Sequence, residues 1–178
     1  MTYDDGADAT KAAATAKAAD VAVIFVGSLS HEGADRSDLT LNGGSPSIGS
    51  IKDQDALIEA VAAVQPNTVV VLTVPGAILT PWSPKVKGML TNFMPGQQCG
   101  NAITDVLYGV VNPGAKLPIT FPNHEDEQDF SPAQWPGLPD PKHPTYANYT
   151  EKLLVYLDRH YAFRCRVAIH WPSLPRSD

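Results

Sequence analysis

The chain has 178 residues, 43% of them hydrophobic and 18% charged, and its 13 Lys and Arg against 19 Asp and Glu leave a net charge of −6. That length holds one domain with a real core, and two full domains would be a squeeze. No basic block offers an electrostatic footprint to nucleic acid or an anionic membrane, and no run approaches the ~20 apolar residues of a membrane span.

In chain order, the Ala-rich segment Ala7 to Ala19 has high helix propensity and no breaker, and predicts a helix. Val21 to Val26 is apolar at every position, the mark of a strand covered by helices on both faces. After a Gly/Ser loop, Asp53 is placed to cap a helix whose Leu57, Ile58, Val61 and Val64 share one face, and Gln65-Pro66-Asn67 ends it. A second buried strand, Thr68 to Val74, follows at once. Val86 to Phe93 predicts a weaker third strand, closed by the turn Met94-Pro95-Gly96. Gly100 to Tyr108 reads as a short helix with Ala102, Ile103, Val106 and Leu107 inward, and Leu117 to Phe121 as a fourth strand. Alternating helix and strand predict an α/β fold, a three-layer α/β/α sandwich with a mostly parallel sheet.

Beyond Pro122 the character changes. Residues 123–145 are acidic and Pro-rich, which predicts a long surface excursion unable to form a helix or a central strand. Tyr149 to Tyr156 regains apolar content, and Arg164 to Asp178 shows no period. The expected organisation is one domain over residues 1–163 and an irregular tail over 164–178.

The first strand ends at Gly27, and His31-Glu32-Gly33-Ala34-Asp35-Arg36 follows it, so ionisable side chains gather where open α/β sheets place their ligand sites. Glu32 is the candidate catalytic acid, because a general acid must be a carboxyl group within reach of a leaving oxygen. By composition alone, a loop glutamate is more often simply solvated. Asp35 and Arg36 are expected to form an ion pair that holds the loop. Trp82 is either a surface that stacks on a sugar or a partly buried core aromatic. Gly27-Ser28-Leu29-Ser30 is neither a dinucleotide fingerprint nor a phosphate loop, and no cofactor is expected. The histidines at 31, 124, 143, 160 and 170 lack metal-pair spacing, so no metal site is expected. Cys99 and Cys165, far apart, read as free thiols. Asn148-Tyr149-Thr150 matches the glycosylation sequon, which matters only in a secreted chain. The acidic start Met1-Thr2-Tyr3-Asp4-Asp5 is unlike a secretory leader, so a soluble chain of open compartment is expected.

Several of these segments together resemble the second, α/β-sandwich domain of glycoside hydrolase family 3, the β-glucosidase type. They are Glu32-Gly33-Ala34-Asp35-Arg36 with Leu39-Thr40-Leu41, then Pro75-Gly76, Pro81-Trp82, and Pro95-Gly96-Gln97-Gln98-Cys99-Gly100-Asn101-Ala102. Asp105-Val106-Leu107-Tyr108-Gly109 and Asn112-Pro113-Gly114-Ala115-Lys116-Leu117-Pro118-Ile119-Thr120-Phe121-Pro122 complete the series, with a weaker match over Tyr149 to Val155. Each motif alone is weak; six in family order are specific.

The resemblance implies retaining hydrolysis of terminal β-linked sugars by two carboxyl groups about 5 Å apart. In the family the nucleophilic Asp belongs to a preceding barrel domain, while in many members this second domain lends the acid/base Glu, which by motif is Glu32. Asp35, Arg36 and Trp82 become the substrate-contact candidates. The implied partners are a β-glucoside or oligosaccharide and a barrel domain or second copy of the chain, with neither nucleic acid nor membrane. No segment resembles the nucleophile motif. Family strands ahead of Met1 are missing, which predicts an exposed sheet edge, and Val155-Tyr156-Leu157-Asp158-Arg159 departs from the family's Val-Gly-Tyr-Arg pattern. The chain thus resembles a version shortened at both ends. The alternative is a non-catalytic carbohydrate-binding or assembly module.

Overall fold

The computed structural model describes residues 1–33, 35–43, 49–115, 117–125, 127, 131–134 and 137–148. The apolar segment after Tyr149, the tail 164–178 and Cys165 lie outside the described residues.

Helix α1 spans Ala9–Lys17. Its Ala content favours the helix, and Asp8 starts it by accepting from the backbone N–H groups of Thr10 at 2.8 Å and Lys11 at 3.1 Å. Strand β1, Ala22–Gly27, leads to α2, Gln54–Val64, whose predicted cap Asp53 accepts from Ala56 N–H at 3.0 Å. Strands β2, Thr68–Thr73, and β3, Gly88–Thr91, follow, with a 3-10 turn at Ser83–Lys85 between them. The three strands form a parallel sheet in the order β1-β2-β3, with Ala22 opposite Thr68 and Val69 opposite Gly88. Helix α3 is Cys99–Leu107.

One core carries this layering. Ala12 and Ala16 of α1 and Leu57, Ile58 and Val61 of α2 bury against Ile24, Val26, Val70 and Leu72 of the sheet. These sheet residues share a face because side chains alternate along a strand. Helices α1 and α2 pack on one another over that face. The expected mostly parallel α/β sheet with flanking helices is therefore present.

Four local expectations change. β2 is buried on both faces, with Val69 and Val71 as well as Val70 and Leu72 covered, whereas β1 shows Val23 at 39% and Phe25 at 58% exposure. Among the described residues β1 is an edge strand, and the exposure of Val23 and Phe25 leaves its second face open where its composition suggested a covering helix. Leu117 to Phe121 forms no strand: Pro118 lacks the N–H a ladder needs, and the Pro122 carbonyl instead accepts from Thr80 N–H at 2.8 Å. In α3, Ile103 is buried but Ala102 is exposed. The Pro-rich excursion holds an antiparallel hairpin, β4 Leu138–Asp140 with β5 His143–Asn148, separate from the main sheet. No helix among the described residues is long and apolar enough to cross a membrane.

Candidate active site

β1 and β2 run parallel side by side, so their carboxyl ends open on the same edge of the sheet. The segments that leave them meet there around an open cavity of about 360 Å³, lined by Ser30, Asp35, Arg36, Asp38, Pro75 and Gly76 among others. The close approach of the two strand ends depends on Gly27, whose position leaves a side-chain carbon only 2.7 Å from the Thr73 carbonyl oxygen.

Glu32 is exposed on the segment that walls this cavity, next to Gly33 at φ +80°, a left-handed conformation suited to glycine. Its carboxylate holds no hydrogen bond among the described residues, so it remains available to a ligand. Asp35 is exposed on the cavity wall.

Arg36 departs from expectation. Among the described residues it pairs with no carboxylate; its Nη2 donates to the Ala77 carbonyl at 2.8 Å, joining the Glu32 segment to the loop after β2. Nη1 is buried with no partner among the described residues. Arg36 does hold the loop, through a backbone oxygen rather than through Asp35.

Asp38 lies beside it and organises the turn. Its Oδ1 accepts from the Thr40 hydroxyl at 2.6 Å and the Thr40 N–H at 2.8 Å, and Oδ2 accepts from Ser37 Oγ at 3.1 Å. The Thr40 hydroxyl first, then its N–H and the Ser37 hydroxyl with the Arg36 charge, hold the Asp38 carboxyl below its usual value against a smaller opposing effect of burial. A carboxylate so occupied is a structural anchor. Leu39 and Leu79 add a backbone bond of 2.8 Å between the two loops.

Trp82 is 0% exposed, and its indole Nε1 donates to Asp55 Oδ1 at 2.7 Å. No ring face is open to a sugar, so the core-aromatic reading describes this residue and the stacking reading does not. Burial pushes the Asp55 carboxyl up, with Asp53 and Glu59 adding to the effect and the Trp82 bond opposing it. No cluster of three or more metal-binding side chains occurs among the described residues.

Gln54 was not marked out by its sequence context, yet it is 0% exposed and bonds both β1 and the far side of the Glu32 segment. A signal was present: position 54 precedes Leu57, Ile58 and Val61 by three, four and seven residues, which puts a polar amide on the apolar stripe of α2.

A parallel sheet flanked by helices, with an accessible carboxyl group beside a cavity at the strand ends, defines an α/β domain of the ligand-site type. The model of the glycosyl hydrolase family 3 C-terminal domain matches residues 5–161, and the chain belongs to that family. A probable β-glucosidase I of Emericella nidulans is 42% identical over 116 residues, 64% of this chain and 13% of that protein. A β-glucosidase sequence of Schizophyllum commune is 38% identical over 159 residues, 83% of this chain and 76% of its own length. Among solved structures, DesR, a β-glucosidase from Streptomyces venezuelae in complex with D-glucose, superposes with a TM-score of 0.60 at 36% identity, over 73% of this chain and 16% of its own. The chain therefore spans a small part of the first of these relatives and of the solved enzyme.

Proposed function

We propose that this domain supplies the general acid/base of a retaining β-glucosidase-type site, with Glu32 as that group and a family barrel domain, in the same or another polypeptide, supplying the nucleophile. The observation that carries the reading is the position of Glu32: solvent-open, on the segment whose Ser30, Asp35 and Arg36 line a cavity at the carboxyl ends of two parallel strands, inside the family match. The protonated carboxyl gives its proton to the glycosidic oxygen as the nucleophile attacks, and the carboxylate then takes a proton from the water that releases the sugar. Asp35 and Arg36 line the cavity; Asp35 offers an acceptor to sugar hydroxyls, while Arg36 is held by Ala77 and fixes the wall on which a sugar would rest. Residues 1–163 act as the domain unit.

The test is hydrolysis of cellobiose, whose poor leaving group demands proton donation, by the chain alone and after fusion to a family barrel domain. The chain alone is expected to be inert, because the two carboxyl groups act as one unit. The fusion is expected to turn over, and Glu32→Gln to lower its kcat on the order of 10²- to 10⁴-fold. Equal turnover by the Glu32→Gln fusion refutes the assignment. Saturable glucoside binding with no turnover in any form would favour a carbohydrate-binding module, a reading the open cavity supports and the burial of Trp82 weakens.

A further inference from the structure

One buried side chain, Gln54, binds both ends of the Glu32 segment. The amide of Gln54 accepts from Gly27 N–H at 2.9 Å and donates to the Gly27 carbonyl at 2.8 Å, so it pairs with the end of β1 as a neighbouring strand residue would. The same Nε2 also donates to the Leu41 carbonyl at 3.3 Å and to Asn42 Oδ1 at 3.1 Å. Its two N–H protons thus serve three acceptors. Gly27 is where the chain leaves the sheet toward Glu32, and Leu41 and Asn42 are where it returns. Exit and return meet at one fully buried amide, itself set at the first residue of α2 by the Asp53 cap. Arg36 makes the second fixed point, through Ala77.

We propose that Gln54 is a positioning residue for Glu32: its amide sets where the Glu32 segment springs from the sheet, and so where the carboxyl group is presented. The proposal rests on the acid/base reading of Glu32 for its functional meaning. It assigns Gln54 no contact with substrate. An apolar side chain of equal size would fill the same space but leave Gly27, Leu41 and Asn42 with unpaired groups.

The experiment uses the whole ¹⁵N-labelled chain with Gln54→Leu and Gln54→Glu. In Gln54→Leu, amide exchange at Gly27, whose N–H donates to Gln54, is expected to rise at least about tenfold, and the ¹H–¹⁵N NOE at Ser30, Glu32 and Gly33 to fall, while Val70 and Leu72 of β2 stay protected. Unchanged NOE values at Ser30 to Gly33 in a folded Gln54→Leu overturn the proposal. Gln54→Glu tests it independently if the leucine variant does not fold. An ionised carboxylate accepts from Gly27 N–H but donates nothing, whereas the protonated carboxyl again has a donor. The ¹H–¹⁵N NOE at Ser30, Glu32 and Gly33 is therefore expected to stay near the parent's at low pH, where a donor is restored, and to fall as the introduced carboxyl ionises and the Gly27 and Leu41 carbonyls and Asn42 Oδ1 lose their donor, a pH dependence that a space-filling role does not produce. No such dependence also overturns the proposal. None of these readings uses activity, so a failure of Glu32→Gln to impair hydrolysis removes the acid/base assignment without touching the tether.

Discussion

Asp55 and Trp82 offer a direct test of how this core tolerates a polar contact. The Trp82 ring has no exposed surface, and its N–H has Asp55 as its acceptor at 2.7 Å. Replacing Asp55 by Ala removes the acceptor and leaves the indole N–H buried, which costs about 1–3 kcal/mol. In a domain of this size each kcal/mol corresponds to about 2–4 °C in Tm. Asp55→Asn keeps an acceptor oxygen but cannot ionise. The Asp55 carboxyl is pushed up chiefly by burial, so the ionised form is less favourable in the folded protein than in the unfolded chain. Its contribution therefore falls as pH rises from the unfolded value of about 3.9 through the higher folded value, and is level above that. The first turn of α2 favours the negative charge, by about 0.3–1 kcal/mol, and opposes the effect of burial and of the Asp53 and Glu59 charges. Asp55→Asn is thus expected to match or exceed the parent in urea unfolding at pH 7, and to lose that advantage near pH 4. The Trp82 indole ¹H–¹⁵N resonance should titrate in the parent and not in Asp55→Asn. If Asp55→Ala unfolds at the same urea concentration as the parent, or Asp55→Asn is as weakened as Asp55→Ala at pH 7, the reasoning is wrong.

Three further outcomes are expected. Gly27→Ala sets a methyl group 2.7 Å from the Thr73 carbonyl, so β1 and β2 must part; urea unfolding should show a loss of about 1–3 kcal/mol. Asp8→Ala frees the Thr10 and Lys11 N–H groups at the start of α1 and should cost about 0.5–2 kcal/mol by the same measurement. Phe25→Lys replaces an exposed apolar side chain on an edge strand; stability should move by less than about 0.5 kcal/mol while light scattering shows less self-association. A large loss of stability in Phe25→Lys would mean that this face of β1 is covered.

The success and failure of the sequence reading divide along physical lines. α2 was legible because its cap, its apolar stripe and its stop are all local. β2 was legible for the same reason, the apolar run Val69 to Leu72 soon after Asn67. Yet Val21 to Val26 has the same kind of run as Thr68 to Val74, and the two strands are buried differently. Among the described residues β2 has a strand on each side and β1 has only one, so composition records what environment a strand tolerates rather than how many neighbours it has. The hairpin Leu138–Asn148 was hidden by its prolines. It forms because a three-residue edge strand accommodates Pro139, and because the Asp140 carboxylate turns the chain by accepting from Lys142 N–H at 2.8 Å.

The site was less legible than the fold because the bonds that build it are not local. Glu32 could be singled out only through the resemblance of its whole motif series, since a loop glutamate by itself is ordinary. Adjacent opposite charges suggested that Arg36 pairs with Asp35, but consecutive residues of a non-helical segment tend to point apart. The guanidinium instead reaches a carbonyl 41 positions along the chain. Gln54 spans 27 positions to Gly27 and 13 to Leu41. In each case a donor meets a backbone carbonyl, and a carbonyl is carried by every residue, so the acceptor leaves no trace in the sequence. What sequence does record is the donor's cost: a polar side chain set on a buried stripe, as Gln54 is on α2, must find partners or destabilise the core. Such a residue beside a candidate loop therefore points to a tether even when its partners cannot be named.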